Sequence, residues 1–126
     1  MRHTLALALA LALALAAGQP APVIADPAEV VAASAERGPQ GWTVSVTLRH
    51  GDTGWDDYAD GWRVVSDEGE VLGTRELLHP HVEEQPFTRT LPGLDLPEGR
   101  HVWVESSTNA TGWSGDRLRL PVSPSR

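Results

Sequence analysis

The chain has 126 residues, contains no Cys and no Lys, and carries Arg as its only basic residue type besides His. Without Cys there can be no disulfide, no cysteine nucleophile and no lipid-modified cysteine. A glycine-rich phosphate loop and a serine in a nucleophile-elbow setting are missing as well. No segment after residue 36 has a helical period. These absences argue against a disulfide-stapled module and against the common hydrolases, and we expect no enzymatic activity.

The N-terminus has the pattern of a secretory signal peptide. A short basic start at residues 1–3 precedes a Leu/Ala run at 5–17, and residues 23–25 offer a small-x-small cleavage pattern. The run has 13 residues, whereas a membrane span needs about 20. We therefore predict a cleaved signal peptide at 1–25, with cleavage after Ala16 as the second choice, and no membrane anchor in the mature protein.

The remaining residues, 26–126, are enough for one domain of about 100 residues. They carry all 17 acidic residues, against ten Lys+Arg in the whole chain. Such a negative surface disfavours nucleic acid and anionic lipid as partners. An exported domain without disulfides is held by packing alone, which is more typical of a bacterial envelope. We expect a periplasmic or secreted bacterial protein.

In much of this domain apolar and polar residues alternate with a period of two, as they do in β-strands. Residues 42–49 alternate without interruption between apolar and polar side chains. Residues 61–78 form a predicted hairpin around the polar turn 67–70, whose Gly can take a positive φ. Seven short strands with regular turn signals predict an all-β sandwich of immunoglobulin or fibronectin-III-like type. The predicted strands are 29–36, 42–49, 61–66, 70–78, 87–91, 101–106 and 117–122.

Successive strands of such a sandwich run in opposite directions, so every second connection lies at the same end. The connections 50–60, 79–86 and 107–115 should therefore form one rim, as the binding loops of variable immunoglobulin domains do. The Trp side chains there could stack on a saccharide, clamp a peptide, or fold inward over the end of the sandwich. The candidate ligand-binding residues are Asp52, Trp55, Tyr58, Glu83 and Trp113.

Three histidines are candidate ligands for copper or zinc. Pro80 favours an extended backbone before it, so His79 and His81 can face the same point. His50 continues the inward-facing phase of the 42–49 strand and should end at the same rim. Imidazole nitrogens suit copper and zinc. We predict that His50, His79 and His81 lie close enough to share one ion; the alternative is that they hydrogen bond to carbonyls at strand ends.

Four Asp residues fall between positions 52 and 60. Their carboxylates could hold calcium, which prefers oxygen ligands. The spacing does not match an EF-hand loop, and the bulky Trp55 and Tyr58 interrupt it. Asx-turns in a solvated loop are therefore the favoured interpretation.

Three sequence strings resemble a family of small uncharacterised exported bacterial proteins. They are DTGWDDYADGW at 52–62, VLGT at 71–74 and LHPHVEEQPFTR at 78–89. The resemblance covers about residues 45–91, a little under half of the predicted domain. It implies export and a single domain, and it implies no activity.

Three classes of function remain open. The first is a non-enzymatic β-sandwich that binds a protein or a saccharide at the rim. The second is a copper- or zinc-binding protein, or a small metal-dependent enzyme, using the same three histidines. The third is a structural or assembly domain that adds a partner's strand at the edge formed by 117–122. We favour the first, because His, Trp and acidic residues converge on one predicted end.

Overall fold

A computed structural model describes residues 25–124 of the chain. The predicted signal peptide lies outside the described residues except for its last position. Within 25–124 the only regular elements are seven strands, and no helix there is long and apolar enough to cross a membrane. The strands are β1 (Glu29–Gly38), β2 (Gly41–Arg49), β3 (Ala59–Val65), β4 (Val71–Glu76), β5 (Phe87–Leu94), β6 (His101–Thr108) and β7 (Gly112–Pro121).

The strands form two packed sheets, which confirms the predicted β-sandwich. One sheet has the order β1-β2-β5 and the other the order β4-β3-β6-β7. Every paired strand is antiparallel to its neighbour. The β3–β4 hairpin turns as the sequence predicts, with Gly69 at φ 85° and a backbone hydrogen bond of 2.8 Å from the Ser66 amide to the Glu70 carbonyl.

The core lies between the two sheets and is built from the apolar phase of the central strands. On β2 the buried apolar positions are Trp42, Val44, Val46 and Leu48, of which the last three are at most 1% exposed. From the opposite sheet Trp62 is fully buried against them, within one continuous cluster. Burying a side chain of the size of Leu48 stabilises the fold by about 1.5–3 kcal/mol. Its truncation to Ala would cost about 2–5 kcal/mol, because the sheets can close the resulting gap only in part.

One open side of the sandwich is closed between β4 and β5. Gly73 packs so tightly that a Cβ there would clash with the side chains of Leu91 and Leu94. Beside it, Arg75 Nε donates to the Thr90 carbonyl oxygen at 3.0 Å. A larger residue at position 73 would therefore have to displace the ends of these two leucine side chains, which lie close to the β4 backbone.

The rim loops are shorter than predicted, because β3 begins at Ala59 and both strands of the last hairpin extend into the predicted loop. Residues 107–115 were predicted as a loop, but β6 continues to Thr108 and β7 starts at Gly112. The intervening turn is held by Thr108 Oγ1, which accepts from the Thr111 amide at 2.9 Å. Ser and Thr fit a pleated strand as well as a loop, and this part of the prediction was therefore wrong.

Candidate functional site

The connections between β2 and β3, β4 and β5, and β6 and β7 meet at one end of the sandwich, which we call the loop end. It comprises residues 50–58, 77–86 and 109–111. Side chains from these connections hydrogen bond to one another across sequence distances of about 30 to 50 residues, as described below. The predicted convergence of the three connections is therefore found in the structure.

Asp52 is the buried centre of the loop end. Its Oδ1 accepts from the Ala59 amide at 3.0 Å and lies 2.6 Å from His50 Nδ1. Its Oδ2 accepts from the His81 amide at 2.8 Å. One carboxylate thus fixes the end of β2, the start of β3 and the β4–β5 connection. Because three partners already use its two oxygens and it is 5% exposed, Asp52 holds the loops together and has little surface to offer a ligand.

His50 has partners at both ring nitrogens. Besides Asp52 at Nδ1, its Nε2 lies 2.9 Å from the carbonyl oxygen of Asp26. A carbonyl oxygen can only accept, so Nε2 carries the hydrogen of this bond. The His50 backbone amide also donates to Gln85 Oε1 at 3.0 Å. His50 therefore points inward as predicted, and it ties the segment before β1 to the loop end.

His81 is buried and stacks on Phe87. The two rings are nearly parallel, with centroids 3.9 Å apart. Arg89 Nη2 lies 2.8 Å from His81 Nε2, and Nδ1 is buried without a hydrogen-bond partner. Burial lowers the pKa of His81 below its ordinary value of 6.5, and the positive charge of Arg89 acts in the same direction. Since Arg89 can only donate, His81 receives this bond in its neutral form.

The structure does not bring His50, His79 and His81 to one point. His79 is exposed and its ring centroid lies 4.6 Å from that of His81, whereas His50 is held by Asp52 and Asp26. Within residues 25–124, no group of three or more His, Cys, Asp or Glu side chains could hold a metal ion. A copper or zinc site at these histidines stays a prediction, and it would require one ring nitrogen of His50 to exchange its present partner, Asp52 or Asp26, for the metal.

Asn109 joins the third connection to the first. Its Oδ1 accepts from the Tyr58 amide at 2.9 Å, and its Nδ2 donates to the Trp55 carbonyl oxygen at 2.7 Å. The 50–58 connection is further closed by a bond of 3.0 Å from the Thr53 amide to the Asp57 carbonyl oxygen. The connection is therefore compact, and the Asx-turns of the favoured interpretation stay a prediction.

Exposed apolar side chains concentrate at the loop end. Within the described residues six large hydrophobic side chains are exposed, and four of them lie in or beside the three connections. The indole of Trp55 is supported by the edge of Tyr58, with ring centroids 5.5 Å apart. The four are Trp55 at 66% exposure, Leu78 at 72%, Val82 at 55% and Trp113 at 39%.

A cleft on the outer face of the four-stranded sheet adjoins these side chains. It has a volume of about 250 Å³ and is lined by Asp60, Gly61, Thr74, Glu76, Ser107 and Trp113. A second hollow of about 280 Å³ shares its acidic residues and extends to Tyr58, Leu77 and Leu78. The two hollows share Asp60 and Glu76 as lining residues, and we call them together the Asp60–Glu76 cleft.

The wall of this cleft is rigidly supported. The Trp113 ring packs on the Arg63 guanidinium, whose carbon lies 4.1 Å from the ring centroid. Arg63 Nε and Nη2 contact Glu105 Oε1 at 2.7 and 2.6 Å, and Glu105 is 2% exposed. The Gly115 amide donates to Glu105 Oε2 at 3.0 Å. This network fixes the position of Trp113 and neutralises Arg63, so that Arg63 adds little positive charge to the cleft.

The candidate ligand-binding residues have different places in the structure. Trp55 and Trp113 stay outside the sandwich, and Glu83 is exposed beside Val82, whereas Asp52 is buried in structural hydrogen bonds. Sequence reasoning missed Asn109 and Glu76, and it considered Asp60 only as one of four possible calcium ligands. The Asn109 amide could not be recognised, because only the folded chain places it against a loop 50 residues earlier. Asp60 and Glu76 could have been found as neighbours across the predicted β3–β4 pair, where Gly61 lies opposite Glu76.

The opposite end of the sandwich has its own acidic group. Asp67 accepts from the Trp103 indole at 2.8 Å and lies 2.8 Å from His101 Nε2. The indole hydrogen bond lowers the pKa of Asp67, and the charge of His101 adds to the effect. Asp67 thus has a basic partner in His101, which distinguishes this end of the sandwich from the Asp60–Glu76 cleft.

Comparison with known proteins gives one informative similarity. No family model matches the chain, and no solved structure matches it significantly. A stretch of 75 residues is 44% identical to a protein of Halomicrobium mukohataei named "Putative lipoprotein", covering 59% of this chain and 36% of that protein. The similar stretch spans little more than a third of that relative. The finding supports an uncharacterised family and assigns no activity.

Proposed function

We propose that this protein is an exported, non-enzymatic β-sandwich that binds a partner at its loop end. One observation carries the proposal: four of the six exposed large hydrophobic side chains of the described residues gather there. A soluble domain usually scatters such side chains, and a concentration of them marks an interaction surface. Trp is also among the residues that contribute most to binding energy at interfaces.

The rigidity of the loop end supports the same role. Asp52 and Asn109 tie the three connections together by hydrogen bonds, so the exposed Trp side chains stand on a fixed frame. A preorganised surface loses less conformational entropy when a partner binds. Binding by a flexible loop would not need such a frame.

The role of the buried polar residues supports binding without catalysis. His50 and Asp52 are residue types that occur together in catalytic sites, but here both form hydrogen bonds that hold the loops in place. In the described part of the chain no Ser hydroxyl is hydrogen bonded to a His. The proposal of export has the support of the predicted signal peptide and of the similarity to a protein named as a lipoprotein, which is compatible with the cell envelope.

Site-specific photo-crosslinking tests the proposal. A photoreactive phenylalanine analogue is placed at Trp55 or at Val82 and, as a matched control, at Val71, an exposed apolar residue at the start of β4 near the opposite end. In the producing organism, we expect a defined adduct from the two loop-end positions and none from Val71. Adducts of equal yield from all three positions, or from Val71 alone, would refute a binding surface at the loop end.

A further inference from the structure

We propose that the Asp60–Glu76 cleft receives an arginine or lysine side chain of a basic polypeptide partner. This inference rests on the proposed binding role of the loop end and names the chemistry of the partner. It draws on three observations: the unpartnered carboxylates of the cleft, its indole wall, and the distribution of charge around it.

The first observation concerns Asp60. Its Oδ1 is buried from solvent and has no hydrogen-bond partner within residues 25–124. A buried carboxylate oxygen is almost always satisfied, since losing water without gaining a donor is unfavourable. Asp60 lines both hollows of the cleft, so a donor that enters the cleft can reach this side chain. Oδ1 itself is closed to solvent and Asp60 as a whole is half-buried, so a cation in the cleft would act on Oδ1 through its charge and could hydrogen bond only to the accessible part of the carboxylate.

The second observation is the pairing of carboxylate and indole. Glu76 lines the same cleft as Asp60, and within 25–124 neither carboxylate lies within ion-pair distance of an Arg or His. Trp113 forms a wall of the cleft, and the absence of a side chain at Gly61 lets the Trp113 ring lie close to the backbone there. An indole face attracts a guanidinium or ammonium group, and carboxylates accept its hydrogen bonds. In the domain itself, Arg63 already occupies such a place against Trp113.

The third observation is the charge of the loop end. Residues 50–60 and 76–86 contain seven acidic residues and no Arg, in a chain with a formal net charge of −7. Of the basic side chains near this end, Arg89 is hydrogen bonded to His81 and lies 3.6 Å from Glu84, and Arg63, which packs on Trp113, is paired with Glu105. The field at the cleft is therefore negative and attracts cations. Exposed Trp55, Leu78 and Val82 extend the contact surface beyond a single small ligand, which favours a polypeptide.

The test uses the purified protein labelled with ¹⁵N and followed by NMR at about 0.15 M salt. The probes are acetyl-tetraarginine amide, its neutral isostere acetyl-tetracitrulline amide, and the neutral saccharide maltotetraose. We expect tetraarginine to shift the indole N–H of Trp113 and the amide of Gly61, and tetracitrulline to leave both unchanged. The double variant Asp60→Asn/Glu76→Gln should bind tetraarginine at least about tenfold more weakly, because hydrogen bonds to charged groups are lost.

A matched variant distinguishes the effect of the cleft residues on affinity from the effect of the protein's net charge. Glu68→Gln/Asp95→Asn removes the same charge at the opposite end, and its affinity should stay within about twofold of the original, since exposed charges contribute little. Equal weakening of both variants, or equal binding of tetracitrulline, overturns the proposal. If the double variant does not fold, Glu76→Gln alone serves, because Glu76 is exposed.

The failure of this inference can be distinguished from failure of the proposed function. If maltotetraose shifts Trp55 and Trp113 whereas tetraarginine shifts neither, the cationic partner is wrong and the loop end remains a binding surface. If the only resonances that respond to tetraarginine lie at the opposite end, beside Trp103, both the cationic site and the assignment of the loop end are overturned.

Discussion

Replacing Asp52 with alanine removes the carboxylate that joins the end of β2, the start of β3 and the β4–β5 connection at the loop end. The carboxylate accepts from the amides of Ala59 and His81 at 3.0 and 2.8 Å and contacts His50 Nδ1 at 2.6 Å. Asp52→Ala leaves two buried amides and one imidazole nitrogen without this partner. Breaking a buried, hydrogen-bonded charged group by removing one partner costs about 3–5 kcal/mol. For a domain of this size that corresponds to a fall in melting temperature of roughly 12 °C or more.

Urea unfolding at 25 °C measures this loss directly. The matched control is Asp56→Ala, which removes an exposed carboxylate from the same loop and should change the free energy of unfolding by no more than about 0.5 kcal/mol. A loss below about 1 kcal/mol for Asp52→Ala would mean that water replaces the carboxylate at low cost. The assignment of Asp52 as the centre of the loop end would then be refuted.

Three further predictions concern the same end. Because the pKa of His81 is lowered in the folded protein, the unfolded chain protonates this histidine at a higher pH than the folded chain does. The free energy of unfolding should therefore fall as the pH drops below about 6.5. Melting curves between pH 7.5 and pH 5 should show a decrease in melting temperature, and His81→Gln should make that decrease smaller. Asn109→Ala should cost about 0.5–1.5 kcal/mol, because its hydrogen bonds to the Tyr58 amide and the Trp55 carbonyl oxygen are open to water. It should also speed hydrogen exchange of the Tyr58 amide, and unchanged exchange would show that Asn109 does not hold the two connections together. Saturating Zn²⁺ or Cu²⁺ should leave the melting temperature unchanged, because His50 has no free ring nitrogen; a rise that is lost when His50, His79 and His81 are all replaced by Ala would establish the metal site.

The alternation of apolar and polar residues along a strand determined which of its side chains are buried. Trp42, Val44, Val46 and Leu48 alternate in sequence, and their burial follows directly, because successive side chains of a strand point to opposite faces. The same phase correctly places His50 inward. It says nothing reliable about His79 and His81: β4 ends at Glu76, the period of two applies only within a strand, and His81 is buried whereas His79 is exposed.

The connectivity of the sandwich was also accessible from sequence. Strands separated by short turns must alternate in direction, and this argument alone brings residues 50–58, 77–86 and 109–111 to one end. The lengths of the connections were not accessible. Ser106, Ser107 and Thr108 suit both strand and loop, and pairing with β3 and β7 decides that they extend β6.

The sequence by itself therefore determined the sandwich, its core and the end at which its loops meet, because these depend on periodicity and chain direction. Only the tertiary structure decided what the polar side chains of those loops do. Asp52 was a candidate ligand-binding residue by its type. In the folded chain it is buried and holds the loops together, because the amides of Ala59 and His81 donate to its oxygens. Asp60 was one acid among several, and folding left its Oδ1 buried without a partner beside Trp113. Hydrogen-bond partners lie far apart along the chain, so no local pattern contains them.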